Sequence, residues 1–215
     1  MARFDPAAVS RLWDEFVTIA DGHPEDDLAT LQRRMRRGSL VLFVVDVIEG
    51  LLLAVRKDVI LASRLRAVCD DYLRRFHDDP CGLTDRVRGV RVRAIEWSEG
   101  RDAAERAVEA WLAVDRRNAS AWVTWSELYF EPGYVPLPEN DPQRALALVE
   151  EGLRVVPTVE GRAELMTQKI NLLAQCGTRA AYDEAFAAWR LLAALLDESG
   201  PPTSREGACG PAAPW

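Results

Sequence analysis

The sequence predicts an all-α protein: an N-terminal helical bundle, then a stack of about three helix pairs, then a flexible tail. Three observations predict it. Apolar residues recur at 3.6-residue spacing almost throughout. Turn residues, Gly and Pro above all, punctuate the chain at helix-length intervals. Alanine-rich segments with a shared internal spacing recur through the second half, as in chains built by stacking one unit on the next.

The first helix is expected to begin at Asp5, an N-cap, with Pro6 at the first helical position. Val9, Leu12, Trp13, Phe16, Val17 and Ala20 then share one face, and Gly22 ends it. A second helix is expected from Pro24 through Leu28, Leu31 and Met35 to Gly38. The third, Ser39 to about Arg56, is apolar on most sides and so belongs at the centre of its domain, with Gly50 as a possible break. A fourth, from about Asp58, aligns Ile60, Leu61, Leu65, Val68, Cys69, Tyr72, Leu73 and Phe76 before the turn HDDPCG. Residues 1–80 thus form a bundle or a divergent cap.

From Thr84 the segments AAERAVEAWLAVD, QRALALVEEGLRVVP and YDEAFAAWRLLAALLD align. Small residues, bulky residues and a terminal Pro or Asp fall together in three sets. These are Ala103, Ala107, Ala110, Asp115; Ala145, Val149, Gly152, Pro157; and Ala185, Trp189, Leu192, Asp197. A small residue lets two helix backbones approach, and the larger one fills the groove beside it. Trp122, Trp125, Ser126 and Tyr129 precede the middle set on a helix of their own. Val87, Val90 and Ala94 precede the first, and Met166, Ile170, Leu173 and Gly177 the last.

Residues 84–198 resemble the tetratricopeptide repeat family in these positions, with FEPGYVPLPEND (Phe130–Asp141) as an insertion between the two helices of the middle unit. The resemblance implies a solenoid whose concave face holds an extended peptide. By that geometry Arg88, Val92, Ile95 and Glu96 face the groove, followed by Val123, Glu127, Phe130 and Glu131, then Glu164, Thr167, Asn171 and Gln175. Arg88 could grip a carboxylate with both arms of its guanidinium. Asn171 could hydrogen-bond a peptide backbone. Each is equally compatible with plain solvated helix surface.

The remaining chemistry is sparse. Arginine supplies all the cations except Lys57 and Lys169, and with the abundant alanine this points to a GC-rich, bacterial genome. The net charge of −7 argues against general nucleic-acid binding. RRMRR (Arg33–Arg37) reads as a helix C-terminus complementing its dipole, or as an anion contact. His77, Cys81 and Cys69 fit no metal-ligand spacing, and His23 lies in an acidic turn. The pairs Asp26–Asp27, Asp70–Asp71 and Asp78–Asp79 point in different directions on a helix and do not form acid/base dyads. No phosphate loop or nucleophile elbow is present, so neither a cofactor nor catalysis is expected. The run SLVLFVVDVIEGLLLAV carries Asp46 and Glu49, and no membrane span or signal peptide is expected. A cytoplasmic adaptor or scaffold for a protein or peptide partner is the reading that results. A carrier whose tail (residues 199–215, with Cys209 and Trp215) is modified by an enzyme, and a helical transcriptional regulator, are the alternatives.

Overall fold

The computed structural model describes residues 6–23, 26, 28–34, 40–55, 58–76, 83–130 and 140–198. The cap at Asp5, the helix start at Pro24, Met35–Ser39, His77, Cys81, Glu131, Tyr134, Cys209 and Trp215 lie outside the described residues. Every regular element among the described residues is a helix. The chain divides into two compact units, residues 1–100 and 101–215.

The first unit contains α1 (Pro6–Gly22), α2 (Leu28–Arg34), α3 (Leu40–Val55), α4 (Leu61–Arg75) and α5 (Thr84–Glu99). α3 is its centre and packs on each of the other four. It stays helical through Gly50, so the break considered there does not occur. Around it a core of Trp13, Phe16, Phe43, Val47, Leu51, Leu65, Val68 and Tyr72 excludes water. Phe16 is the aromatic hub, with ring centroids 5.1 Å from Trp13 and 5.9 Å from both Phe43 and Phe76. Ile60, expected on the buried face of α4, precedes that helix and is exposed. Its backbone N–H instead donates to the Asp58 carboxylate at 3.1 Å. No helix among the described residues is long and apolar enough to cross a membrane.

Arginines lace this unit together. Arg75 donates to Asp71 at 2.9 Å and to Asp21 at 2.7 Å, joining α4 to α1. That bond holds the Asp21 carboxyl below the ordinary carboxylate range. Arg64 reaches from α4 to Ser10 Oγ at 2.6 Å. Adjacent Asp70 and Asp71 diverge as helix geometry requires: Asp70 pairs with Arg91, while Asp71 pairs with Arg74 and Arg75 and accepts from Trp13 Nε1.

The helix α5, expected to open the repeat segment at residue 84, belongs to this first unit and packs on α4. Val87 and Ala94 enter its core, with Val90 and Trp97 against the rim.

The second unit contains α6 (Arg101–Val114), α7 (Ala119–Glu127), α8 (Pro142–Val155), α9 (Val159–Gln175) and α10 (Arg179–Glu198). Capping is legible at the entries of α7, α8 and α9. Asn118, Asp141 and Thr158 accept from the backbone N–H three residues on, at 2.9, 2.9 and 3.2 Å. α6 packs on α7, α7 on α8 and α9, α8 on α9, and α9 on α10.

Two glycines set these approaches. A Cβ on Gly152 of α8 would lie 2.9 Å from Trp122 Cγ in α7 and 3.1 Å from Leu165 Cδ2 in α9. A Cβ on Gly161 of α9 would lie 2.6 Å from Val156 Cγ1 and 3.1 Å from Ala119 Cβ. Hydrogen at both positions lets three helices meet backbone to side chain.

The alanine sets hold unevenly. Ala145, Val149 and Gly152 are buried in α8. In α6 the buried set is shifted by one residue, to Ala104, Val108 and Trp111, and Ala110 is exposed. In α10 the alanines Ala181, Ala185 and Ala188 are buried, but Trp189, expected to fill a groove, is exposed.

Candidate functional site

The groove positions fall into two sets. Arg88, Val92 and Glu96 belong to the first unit, and Val123, Glu127, Phe130, Thr167, Asn171 and Gln175 to the second. In the first set Val92 is 2% exposed and Ile95 4%, which leaves a partner nothing to touch. Glu96 accepts from Arg93 at 2.9 Å, with both side chains largely covered. Arg88 lies 3.3 Å from Asp85. Its neighbours in RVRGVRVR are also engaged: Arg86 by Glu49 and Arg91 by Asp70. This basic run therefore cements α5 to α3 and α4 and is spent on acidic neighbours.

The second set comes together on α7 and α9. Ser120 Oγ donates to Glu164 at 2.8 Å, and Gln168 Nε2 donates to Ser126 Oγ at 3.1 Å. Both contacts ascend together along the chain, so the two helices run in the same direction. Ser120, Val123 and Glu127 are spaced i, i+3, i+7 on α7, and Glu164, Thr167 and Asn171 repeat that spacing on α9. Each triplet lines one helix face. Val123, Glu127 and Phe130 are half-buried, while Glu164, Thr167, Asn171 and Gln175 are exposed. The Thr167 hydroxyl donates to Ala163 O at 2.8 Å within its own helix.

Both charged residues of the two triplets, Glu127 and Glu164, are acidic. α7 carries no basic residue. The cations of α9 are turned elsewhere. Lys169 bridges Glu150 of α8 at 3.0 Å and Glu184 of α10 at 2.9 Å, which raises its pKa despite partial burial. Arg162 donates to Leu153 O at 3.1 Å.

A second cluster closes the start of the insertion. Trp122 stacks on Trp125, with centroids 5.7 Å apart, and Trp122 Nε1 donates to Arg116 O at 3.0 Å. Trp122 is buried and packs against Gly152, so the two tryptophans are a packing seam. The Tyr129 hydroxyl donates to the Glu105 carboxylate, which also lies 3.5 Å from Trp125 Nε1. The guanidiniums of Arg101 and Arg144 lie 5.4 and 5.8 Å from the Tyr129 ring centroid. Loss of hydration, then the Glu105 contact, raises the Tyr129 pKa. The insertion leaves and returns at one point, because Asp141 N–H donates to Tyr129 O at 2.9 Å.

Other places carry less. A shallow depression beside α1 and α2 is lined by Thr18, Ile19, Gly22, His23, Arg33 and Arg34. Its cations are engaged, Arg34 by Asp26 and Arg33 by the Thr30 hydroxyl. Among the described residues no group of three or more His, Cys, Asp or Glu side chains could hold a metal. Cys69 is buried in the first core, and burial followed by the charge of Asp70 pushes its thiol up to about 12.

No protein-family model matches the chain, and no curated protein or solved structure is significantly similar to it.

Proposed function

We propose that this protein is a non-catalytic interaction module, with tetratricopeptide-like packing in its second unit, that holds an extended peptide along α7 and α9. The observation that supports it most is the pair of parallel triplets, Ser120, Val123, Glu127 and Glu164, Thr167, Asn171, held side by side by the Ser126–Gln168 hydrogen bond. Two parallel helices held in register present matched side chains at fixed intervals, as recognition of an extended backbone demands. Asn171 supplies a donor and an acceptor to a peptide group. Glu127 and Glu164 favour a peptide bearing Lys or Arg, whose encounter they also steer. The groove is confined to the second unit in this reading, and Arg88 has no part in it.

The test is selection of binding peptides from a displayed random library on the full chain, followed by calorimetry. Enrichment of basic peptides whose affinity falls about tenfold in Asn171→Ala and in Glu164→Gln is the expected result. Selected peptides that bind both variants unchanged would overturn the assignment.

A further inference from the structure

α10 carries two apolar faces. One, with Ala181, Ala185 and Ala188, is buried, and α10 packs on α9. The other runs Tyr182, Phe186, Trp189, Ala193, Leu196, in alternating steps of four and three residues. That spacing forms a straight seam of the kind two helices share in a coiled coil. Tyr182 is 52% exposed, Phe186 59%, Trp189 54% and Leu196 50%. Phe186 and Trp189 stack with centroids 5.9 Å apart, which presents a preformed aromatic surface to solvent. Large adjoining aromatics on one exposed face mark an interaction surface.

The middle of the second unit shows what such a face does when covered. Aligned on Ala145, Val149, Gly152 and Ala185, Trp189, Leu192, the α8 counterparts of Trp189 and Leu196 are Val149 and Val156, both buried. Gly152 and Val156 lie against Leu165 and Gly161 of α9. α10 has the same face, widened by aromatics, and is the last helix among the described residues.

We propose that a second copy of this chain covers it, with the two α10 helices antiparallel about a two-fold axis. An isologous interface must be self-complementary, and this seam is so in size and in charge. Antiparallel pairing sets Phe186 of each copy against Trp189 of the other. It sets the bulky Tyr182 against the small Ala193. It also brings Arg190, beside the seam, towards Asp183 of the second copy. Both are exposed: Asp183 pairs with Arg179 of its own helix at 3.2 Å, and Arg190 leans over Phe186 at 6.0 Å from the ring centroid. A parallel arrangement would stack Tyr182 on Tyr182 and leave Arg190 and Asp183 on opposite sides of the seam, losing both complementarities.

Sedimentation equilibrium of the full chain at micromolar concentrations tests this, with circular dichroism to confirm that each variant stays helical. The wild-type chain is expected to show a concentration-dependent mass of two chains, and Phe186→Glu the mass of one. Arg190→Asp and Asp183→Arg are each expected to raise the dimer dissociation constant about tenfold, and the double variant to restore it. A chain that stays monomeric overturns the proposal, since the face is then bare or covered by another occupant. A dimer indifferent to Phe186→Glu, or charge variants that the double substitution fails to rescue, overturns it as well. Where Phe186→Glu does not fold, the charge series decides alone.

Discussion

The side-chain amide of Gln168 donates to the Ser126 hydroxyl at 3.1 Å, with both residues closed to solvent between α7 and α9. Ser126 Oγ in turn donates to Val123 O at 2.7 Å. The relay fixes the register of the two helices from inside. Ser126→Ala strands a buried amide donor and is expected to cost about 1–3 kcal/mol. Replacing both partners, in Ser126→Ala with Gln168→Leu, is expected to cost less than the single changes added together. A double-mutant cycle by urea unfolding measures the coupling. Additive costs would mean that the bond does not hold the register.

Gly152→Ala sets two effects against each other. Alanine in place of glycine ordinarily favours a helix by about 1 kcal/mol. Here the new methyl meets Cγ and Cβ of Trp122 at 2.9 and 3.0 Å, atoms too close to their own backbone to swing away. Overpacking of this kind costs about 1–3 kcal/mol, so net destabilisation is expected. The midpoint of thermal unfolding reads it, and a raised midpoint would show that α7 and α8 separate freely.

Tyr129 titrates above its ordinary value because it has lost hydration and because it donates to Glu105. Glu105→Gln removes the negative charge, so the Tyr129 pKa is expected to fall, though not fully, since burial remains. Arg144 acts the other way, and Arg144→Ala is expected to raise it. Ultraviolet difference titration against Tyr129→Phe resolves the shifts. Movement of both variants in one direction would contradict the arrangement of the ring between acid and bases.

Cys69 carries its proton in the folded chain well past the range of an exposed thiol. The folded pKa, about 12, exceeds the ordinary 9.0, so the folded state holds the proton more tightly. Its stabilising contribution is complete below 9.0 and is lost as pH rises towards 12. Cys69→Ala is expected to flatten that alkaline decline. In native labelling with iodoacetamide, half-buried Cys176 reacts before Cys69, which reacts only on unfolding. Rapid native labelling of Cys69 would place it outside the core.

Periodicity made the first four helices legible, because each has one apolar face and α3 has little else. Trp122, Gly152 and Pro157 were legible as the two ends of one helical hairpin. Two things were not. In α6, Ala103, Ala107, Ala110 and Ala104, Val108, Trp111 share the same spacing one residue apart, a rotation of about 100°. Spacing cannot choose between them, and the burial of Trp111 did. In α5, buried residues at 87, 92, 94 and 95 span an arc of about 160°, wide enough to take in Val92 and Ile95, which were expected in the groove, beside Val87 and Ala94. Its place on α4 rests on Arg91 reaching Asp70 and Val87 entering the first core, relations between residues distant in sequence. The α7 and α9 positions of the groove rest on the repeat resemblance, and the turning of Lys169 towards α8 and α10 follows from no spacing in the sequence.

The backbone bond from Asp141 N–H to Tyr129 O gives the insertion a further significance. It joins the residues on either side of 131–139 beside the Asp141 cap, so α7 and α8 meet the same geometry whatever chain runs between. Doubling a closed loop costs only about 0.6 kcal/mol. A foreign epitope or reporter spliced between Phe130 and Asn140 is therefore expected to leave the packing of α7 on α8 intact.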